Sequence, residues 1–185
     1  KLPKPLHTIC GKPMISYPVE SMRKAGIDNI VIVCSESSEE ALKGLFQDSV
    51  VYIKQIEALG TGHAVLQCAS EVEGKYPNIV VMVGDAPLIN STTIQSMINT
   101  HTSSKSTLTI LTATETVSQD MGRIERNSSG IIQKVIEPSS DLNAAHIKEV
   151  NSGLYCFDAK WMWQALRKLN PEKNGEYYLT ELVNM

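Results

Sequence analysis

The sequence contains no long hydrophobic run: nothing in its 185 residues approaches the roughly 18 apolar residues that a membrane-spanning helix needs. No charged-then-apolar leader opens it either, so a cytoplasmic setting with no membrane partner is expected. Basic charge is not in excess. A net charge of −3 leaves no nucleic-acid surface, and any anionic ligand must be met by individual cations. Cysteine is sparse, and Cys10, Cys34, Cys68 and Cys156 have no CxxC spacing, which argues for reduced, buried thiols over zinc or dithiol chemistry. Fixed-period repeats and low-complexity tracts are absent. So are the G-x-G-x-x-G fingerprint and the GK[ST] of a P-loop, which removes the commonest dinucleotide and Walker sites.

What remains is a 42% apolar, 20% charged chain, long enough for one domain with a real core. MISYPVESMRKAG has helical spacing with Lys and Gly at its end, and NIVIVC after it reads as a buried strand. SSEEALKGLF reads as a Ser-capped helix and SVVYIKQ as a strand. GTGHAVLQCASEV, helical, leads into the β-branched run NIVVMVG, then TIQSMINTH as helix and STLTILTATE as strand. Alternation of this kind predicts an α/β fold with an open, Rossmann-like, mostly parallel sheet. From about Asp120 two short alternating runs joined by N-S-S-G predict a hairpin, a small β excursion off the main sheet. A short polar helical stretch, the strand EVNSGLYCFD, the amphipathic AKWMWQALRKL, the loop NPEKNGEYY and a last helix complete the chain. It begins at Lys1 rather than at Met and stops at Met185 within the periodic run LTELVNM, with no closing Gly or Pro, which reads as one domain, 1–185, cut at both ends.

Chemistry is offered at several points. In KLPKPLH the prolines put Lys4 on stiff, extended backbone, so that its ammonium is aimed; a polyproline ligand or linker is the alternative. In VMVGDAPLI a strand ends in Gly84 and Asp85, delivering a carboxylate to the sheet edge, where a hard cation such as magnesium could bind, unless Asp85 merely starts a turn. QIEALGTGHA exposes backbone N–H groups around Gly60 and Thr61 at a helix start, with Gln55 able to read a base edge and His63 open to a capping or packing role. Gly122, Glu137 and Asn151 sit at or within strand-like runs in the second half, suited to a hydroxyl-rich ligand or to a hairpin surface. NGEYYLTEL adds Glu176, Tyr177, Tyr178 and Thr180, lining a pocket or capping a helix.

In sequence order L-P-K-P-L-H, G-K-P-M-I, Q-x-x-x-L-G-T-G-H-A, G-D-x-P-L, G-R-I, I-E, N-S-G and N-G-E-Y-Y-L-T resemble the uridylyltransferase domain of the bacterial N-acetylglucosamine-1-phosphate uridylyltransferases of the GlmU type. The resemblance runs along essentially the whole chain. It implies the nucleotide-diphospho-sugar transferase fold and a magnesium-dependent reaction of UTP with N-acetyl-α-D-glucosamine 1-phosphate, giving UDP-N-acetylglucosamine, a cell-envelope precursor, and pyrophosphate. It further implies that Lys4 meets phosphates, Asp85 ligates Mg2+, Gln55, Gly60 and Thr61 contact the nucleotide base, Gly84 flanks the metal ligand, and Gly122, Glu137 and Asn151 contact the amino sugar. Three departures stand against the family pattern. Its glycine-rich L-A-A-G-x-G-T-R-M loop is expected before Lys1, its second metal ligand, an asparagine, beyond Met185, and Val83 stands where tyrosine is common. The hexapeptide-repeat acetyltransferase half is absent, so neither acetyl transfer nor the trimer it builds is expected of this piece.

Overall fold

The computed structural model describes residues 2–114, 121–138, 144 and 146–185. Its elements alternate as the sequence predicts, with mixed strand directions. Strands β3 (Val31–Cys34) and β4 (Val51–Lys54) pair in parallel, with α1 (Ser16–Lys24) and α2 (Glu36–Phe46) packed on them through Val19, Ile32, Cys34, Leu42 and Val50. Helix α1 ends as expected: Arg23 and Lys24 occupy the last turn, and Gly26 takes φ +86 just beyond it, a conformation open to glycine at no steric cost. Helix α2 starts earlier than the Ser37–Ser38 pair, with Ser35 at the N-cap but without a side-chain cap bond. The Ser35 hydroxyl is engaged instead with those of Ser37 and Ser38, each at 3.0 Å.

The second sheet has five strands: β5 (Asn78–Met82), β6 (Leu108–Thr114), β7 (Arg123–Arg126), β8 (Ile132–Ile136) and β9 (Glu149–Asp158). Strand β9 is its spine. Antiparallel β6 runs along one side of it, while on the other side β5 takes the C-terminal half and β7 meets it at Val150. Since β5 and β6 both oppose β9 they run parallel to each other, yet β3–β4 is the one directly hydrogen-bonded parallel pair among the described residues. The balance within the mixed fold is thus less parallel than the helix–strand alternation suggests, because β9 arrives late in the chain and inserts between β5 and β6. The β7–β8 hairpin is also not an excursion off the sheet: β7 extends the five-stranded sheet through β9. Its N-S-S-G turn is as predicted, with Asn127 Oδ1 accepting from the Ser129 and Ile131 N–H groups at 3.0 Å. The polar helical stretch expected before β9 lies mostly outside the described residues.

Each face of the spine is covered. Tyr155 and Phe157 face α3 (Thr61–Leu66), α4 (Ala69–Val72) and α6 (Ala159–Leu166), in a cluster with Cys68, Val72, Met162, Trp163 and Leu166. Leu154 and Cys156 meet Ile94 and Met97 of α5 (Ser91–Ser104) and Met22 of α1. LYCF, buried on both faces of the sheet, reads as a continuous apolar run; NIVVMV reads the same way, though β5 is only partly buried. The expected last helix is a 3₁₀ turn, Leu179–Asn184, docked through Leu179 and Leu182.

Candidate functional site

The Lys-Pro opening is a 3₁₀ turn, Lys4–Leu6, and not the extended segment that the prolines suggest. Pro3 keeps φ −58 and ψ 141, but its carbonyl accepts from Leu6 N–H at 2.9 Å and that of Lys4 from His7 N–H at 3.1 Å, which tightens the chain. The turn is anchored by Ile15 N–H donating to Pro5 O at 2.9 Å, next to the small hairpin of β1 (Thr8–Ile9) and β2 (Lys12–Pro13). Lys4 is nonetheless aimed. Its Nζ lies 2.5 Å from Asp85 Oδ2, with the two side chains 73% and 31% exposed. Beside this pair a Cβ added to Gly84 would make only ordinary contacts, 3.6 Å to Ile15 and 3.7 Å to Pro5, so packing does not require a glycine there.

Just past β5 the sheet forks. Val83 N–H still donates to Gly153 O at 3.0 Å, but Asn151 N–H, two residues back along β9, donates to Gly122 O at 2.9 Å. Between these points β9 bulges. Two steps along β6, from Ile110 to Thr112, oppose four along β9, from Tyr155 to Asn151. The N-S-G sequence makes the bulge: Asn151 Oδ1 accepts from Gly153 N–H at 3.0 Å, and Gly153 takes φ +75, where a side chain is strained. A Cβ at Gly153 would also lie 2.6 Å from Val83 Cγ2.

The three sugar-side candidates fall in one row across three strands. Arg123 pairs with both Ile136 and Val150, so one step on, Gly122 lies between Glu137 and Asn151. Gly122 is buried, and a Cβ there would stand 2.8 Å from Val135 Cγ1 and 3.5 Å from Glu137 Oε1. Glu137 accepts a 2.6 Å hydrogen bond from the Thr180 hydroxyl. Desolvation holds its carboxyl above the ordinary range, with the Thr180 bond opposing and Glu181 and Glu176 adding to the rise. The Asn151 amide donates to Tyr155 Oη at 2.5 Å, and the Tyr155 phenol is pushed well up by burial. The sequence carries one signal for Tyr155, a hydroxyl within an otherwise apolar strand.

The base-side candidates gather at the end of β4. Gln55 N–H donates to Cys34 O at 2.9 Å, continuing the β3–β4 ladder, and the Gln55 carboxamide reaches Gly60 O at 3.1 Å and His63 Nδ1 at 2.9 Å. The glycines on either side of Thr61 are there for packing. Gly60 has φ +95, and a Cβ on it would come 2.7 Å from Tyr177 O; one on Gly62 would come 3.0 Å from the same atom. Of the backbone N–H groups at this helix start, that of Gly62 is not open to a ligand, since it donates to Tyr177 O at 2.7 Å, and α3 has only six residues. Thr61 Oγ1 likewise accepts from Leu179 N–H at 2.9 Å.

These bonds give NGEYYLT a role that its sequence does not announce. Residues Tyr177 and Leu179 tie it to the Gly60–Thr61–Gly62 turn, and Thr180 ties it to Glu137. One strap therefore joins the base-side and sugar-side groups. Two surface hollows, along α5 and at its C-terminal end, are lined by none of these residues. No helix among the described residues is long and apolar enough to cross a membrane, and no three of their His, Cys, Asp or Glu side chains gather as a metal cage. Asp85 alone suits a magnesium ion completed by substrate phosphates and water, the usual mode for Mg2+.

Comparison with known proteins gives the family and the fold. The family model described as "Nucleotidyl transferase" matches residues 1–185. The chain is 40% identical over 186 residues to the bifunctional protein GlmU of Clostridium botulinum (strain Eklund 17B / Type B) and 42% identical over 188 residues to that of Clostridium novyi (strain NT). In each case all of this chain, but only 41% of the relative, is covered. In fold it is similar to a putative glucose-1-phosphate thymidylyltransferase from Bacillus anthracis, solved in complex with a sucrose, with a TM-score of 0.78 at 19% identity, covering 97% of this chain and 72% of that one.

Proposed function

From the premise that the chain belongs to the nucleotidyl transferase family, we propose that it carries the uridylyltransferase reaction: UMP passes from UTP to N-acetyl-α-D-glucosamine 1-phosphate, giving UDP-N-acetylglucosamine and pyrophosphate. Residues 1–185 form the uridylyltransferase unit of a longer, cytoplasmic polypeptide; the chain spans less than half the length of its curated relatives. The observation that carries the reading is the strap. It binds the Gly60–Thr61 turn through Tyr177 and Leu179 and Glu137 through Thr180, so residues suited to a base and residues suited to a sugar are held in one assembly.

In this reading Gln55, Gly60 and Thr61 form the base side, and Gly122, Glu137 and Asn151 hold the hydroxyl and acetamido groups of the sugar. Lys4 and Asp85 lie at the phosphates. Asp85 would hold Mg2+, which when bound neutralises phosphate charge. Lys4 adds a cation at the same place, so the Lys4–Asp85 pair must open as phosphates and metal enter. The sugar phosphate oxygen is itself the nucleophile on the α-phosphorus, and the work left to the protein is positioning and charge neutralisation.

Pyrophosphate release from UTP and magnesium is the test, with N-acetylglucosamine 1-phosphate and glucose 1-phosphate compared as acceptors. Release strongly favouring the amino sugar is expected; equal turnover would mean another sugar-1-phosphate nucleotidyltransferase. A second reading is a module that keeps the fold without turnover; in it Asn151, whose amide is engaged at both ends within the protein, serves the β9 bulge and not a sugar. A thermal shift with UDP-N-acetylglucosamine in the absence of any pyrophosphate release would select it.

A further inference from the structure

The imidazole of His63 is held between two carboxamides. Its Nδ1 lies 2.9 Å from Gln55 Nε2 and its Nε2 lies 3.1 Å from Gln67 Nε2, while the Tyr177 ring stands beside it, 6.3 Å between centroids and tilted by 34°. Neither capping nor core packing calls for both ring nitrogens to be engaged. A neutral imidazole has one N–H and one acceptor nitrogen, so it cannot accept from both amides. The oxygen and nitrogen of a carboxamide are assigned from such a network. Gln55 Nε2 has a second partner that only accepts, Gly60 O at 3.1 Å. The second partner of Gln67 Nε2 is His63 O, at a longer 3.3 Å. Gln67 is therefore the amide that turns, setting its Oε1 against the ring. His63 then accepts from Gln55 at Nδ1 and donates its Nε2–H to Gln67.

This leaves Gln55 with one face to show. Its two N–H bonds are directed at Gly60 O and His63 Nδ1, and only Oε1, an acceptor, remains for a ligand. We propose that His63 is a positioning residue, which through its Nε2–H tautomer fixes the Gln55 carboxamide with its oxygen presented to the nucleobase. The inference rests on the reading of Gln55 as a base-side residue and adds a reason for selectivity. Uracil carries a ring N–H at N3, which an amide oxygen can accept. Cytosine has a lone pair at that position, which the oxygen repels. Without His63 the carboxamide is free to rotate and offer either end, and discrimination between the two pyrimidines falls.

The experiment measures dissociation constants of UTP and CTP by calorimetry for the wild type, Gln55→Leu, His63→Leu and His63→Asn, together with the 15N-detected ring tautomer of His63 in the wild type. The UTP preference is expected to fall about tenfold in His63→Leu, the worth of one misdirected hydrogen bond. His63→Asn, whose Oδ1 can stand in for Nδ1 as acceptor, keeps it, and the wild-type ring carries its proton on Nε2. A His63→Leu protein with an unchanged UTP-to-CTP ratio, or a ring protonated on Nδ1, overturns the proposal. If Gln55→Leu also leaves the ratio unchanged, the base-side reading of Gln55 falls and takes this inference with it. A silent His63→Leu beside an effective Gln55→Leu sinks the inference alone.

Discussion

Lys4 Nζ and Asp85 Oδ2 meet at 2.5 Å across 80 residues of chain, joining a 3₁₀ turn at the start of the sequence to the tip of β5. The lysine side chain is 73% exposed, so screening by water leaves the pair little to contribute to the fold. A stabilising role would call for burial or a bidentate geometry, and this pair has neither. Its position between two loops suits a charge that acts on something else.

Lys4→Ala is accordingly expected to change folding stability by less than about 0.5 kcal/mol while lowering the rate of pyrophosphate release by roughly a hundredfold, the usual scale for removing a charge that acts on the transition state. Thermal melting and the acceptor-dependent assay on one preparation separate the two quantities. A large loss of stability with little loss of rate would make the pair a structural clasp.

Glu137 gives the pH-dependent prediction. Its carboxyl is held above its ordinary value of 4.5, first by desolvation. Well below that value it is protonated in folded and unfolded chains alike, and its burial then carries no ionisation cost. As pH rises the unfolded chain ionises first, and the folded state loses stability until the folded carboxyl has ionised too. Glu137→Gln removes the charge and keeps an oxygen for the Thr180 hydroxyl. It should melt above the wild type at about pH 7 and match it near about pH 4. If Glu137 holds the sugar, the stabilised variant also binds UDP-N-acetylglucosamine more weakly, a trade of stability against function. Melts at the two pH values with and without ligand check both parts.

Much of this was legible in the sequence, because periodicity is local: LYCF and NIVVMV announced strands, of which the first is fully buried and the second partly so, and Arg23, Lys24 and Gly26 marked a helix end. What escaped was non-local. That β9 would insert between β5 and β6, and that β7 would join the sheet at Val150, depends on pairings between segments dozens of residues apart, which no window of sequence encodes. The same holds for the site. At the G-T-G turn the contact between Gly62 N–H and Tyr177 O joins segments more than a hundred residues apart, and the local sequence does not announce it. Lys4 and Asp85, by contrast, both stand where a ligand can reach them, although the prolines around Lys4 hold it in a 3₁₀ turn and not on extended backbone.

The cysteines should divide sharply. Burial pushes the thiols of Cys68 and Cys156 up to about 11 and raises that of Cys34 as well, whereas Cys10 is exposed in the turn between β1 and β2. Thiolate is the reactive form. Iodoacetamide at neutral pH should therefore label Cys10 alone in the native protein and all four positions after denaturation, as read by peptide mass spectrometry. Prompt native labelling of Cys156 would mean that the β9 spine opens far more readily than its burial implies.

The glycines provide a last test, since three of them are small for different reasons. Gly60→Ala forces a Cβ against the Tyr177 backbone at 2.7 Å from a φ of +95, and a loss of at least about 2 kcal/mol is expected. Gly122→Ala meets a side chain instead, Val135 Cγ1 at 2.8 Å, and the obstacle can itself be trimmed. Adding Val135→Ala to Gly122→Ala should recover part of the lost stability; if it recovers sugar-phosphate turnover too, Gly122 serves packing and does not need to be bare for the ligand. Gly84→Ala meets nothing closer than 3.6 Å and should fold as well as the wild type. Any fall in nucleotide binding by Gly84→Ala would then come from the ligand itself, and would put the phosphates against the backbone beside Asp85. Calorimetry with UTP and magnesium on the three alanine variants reads that difference directly, and undiminished binding in Gly84→Ala would move the phosphates away from the end of β5.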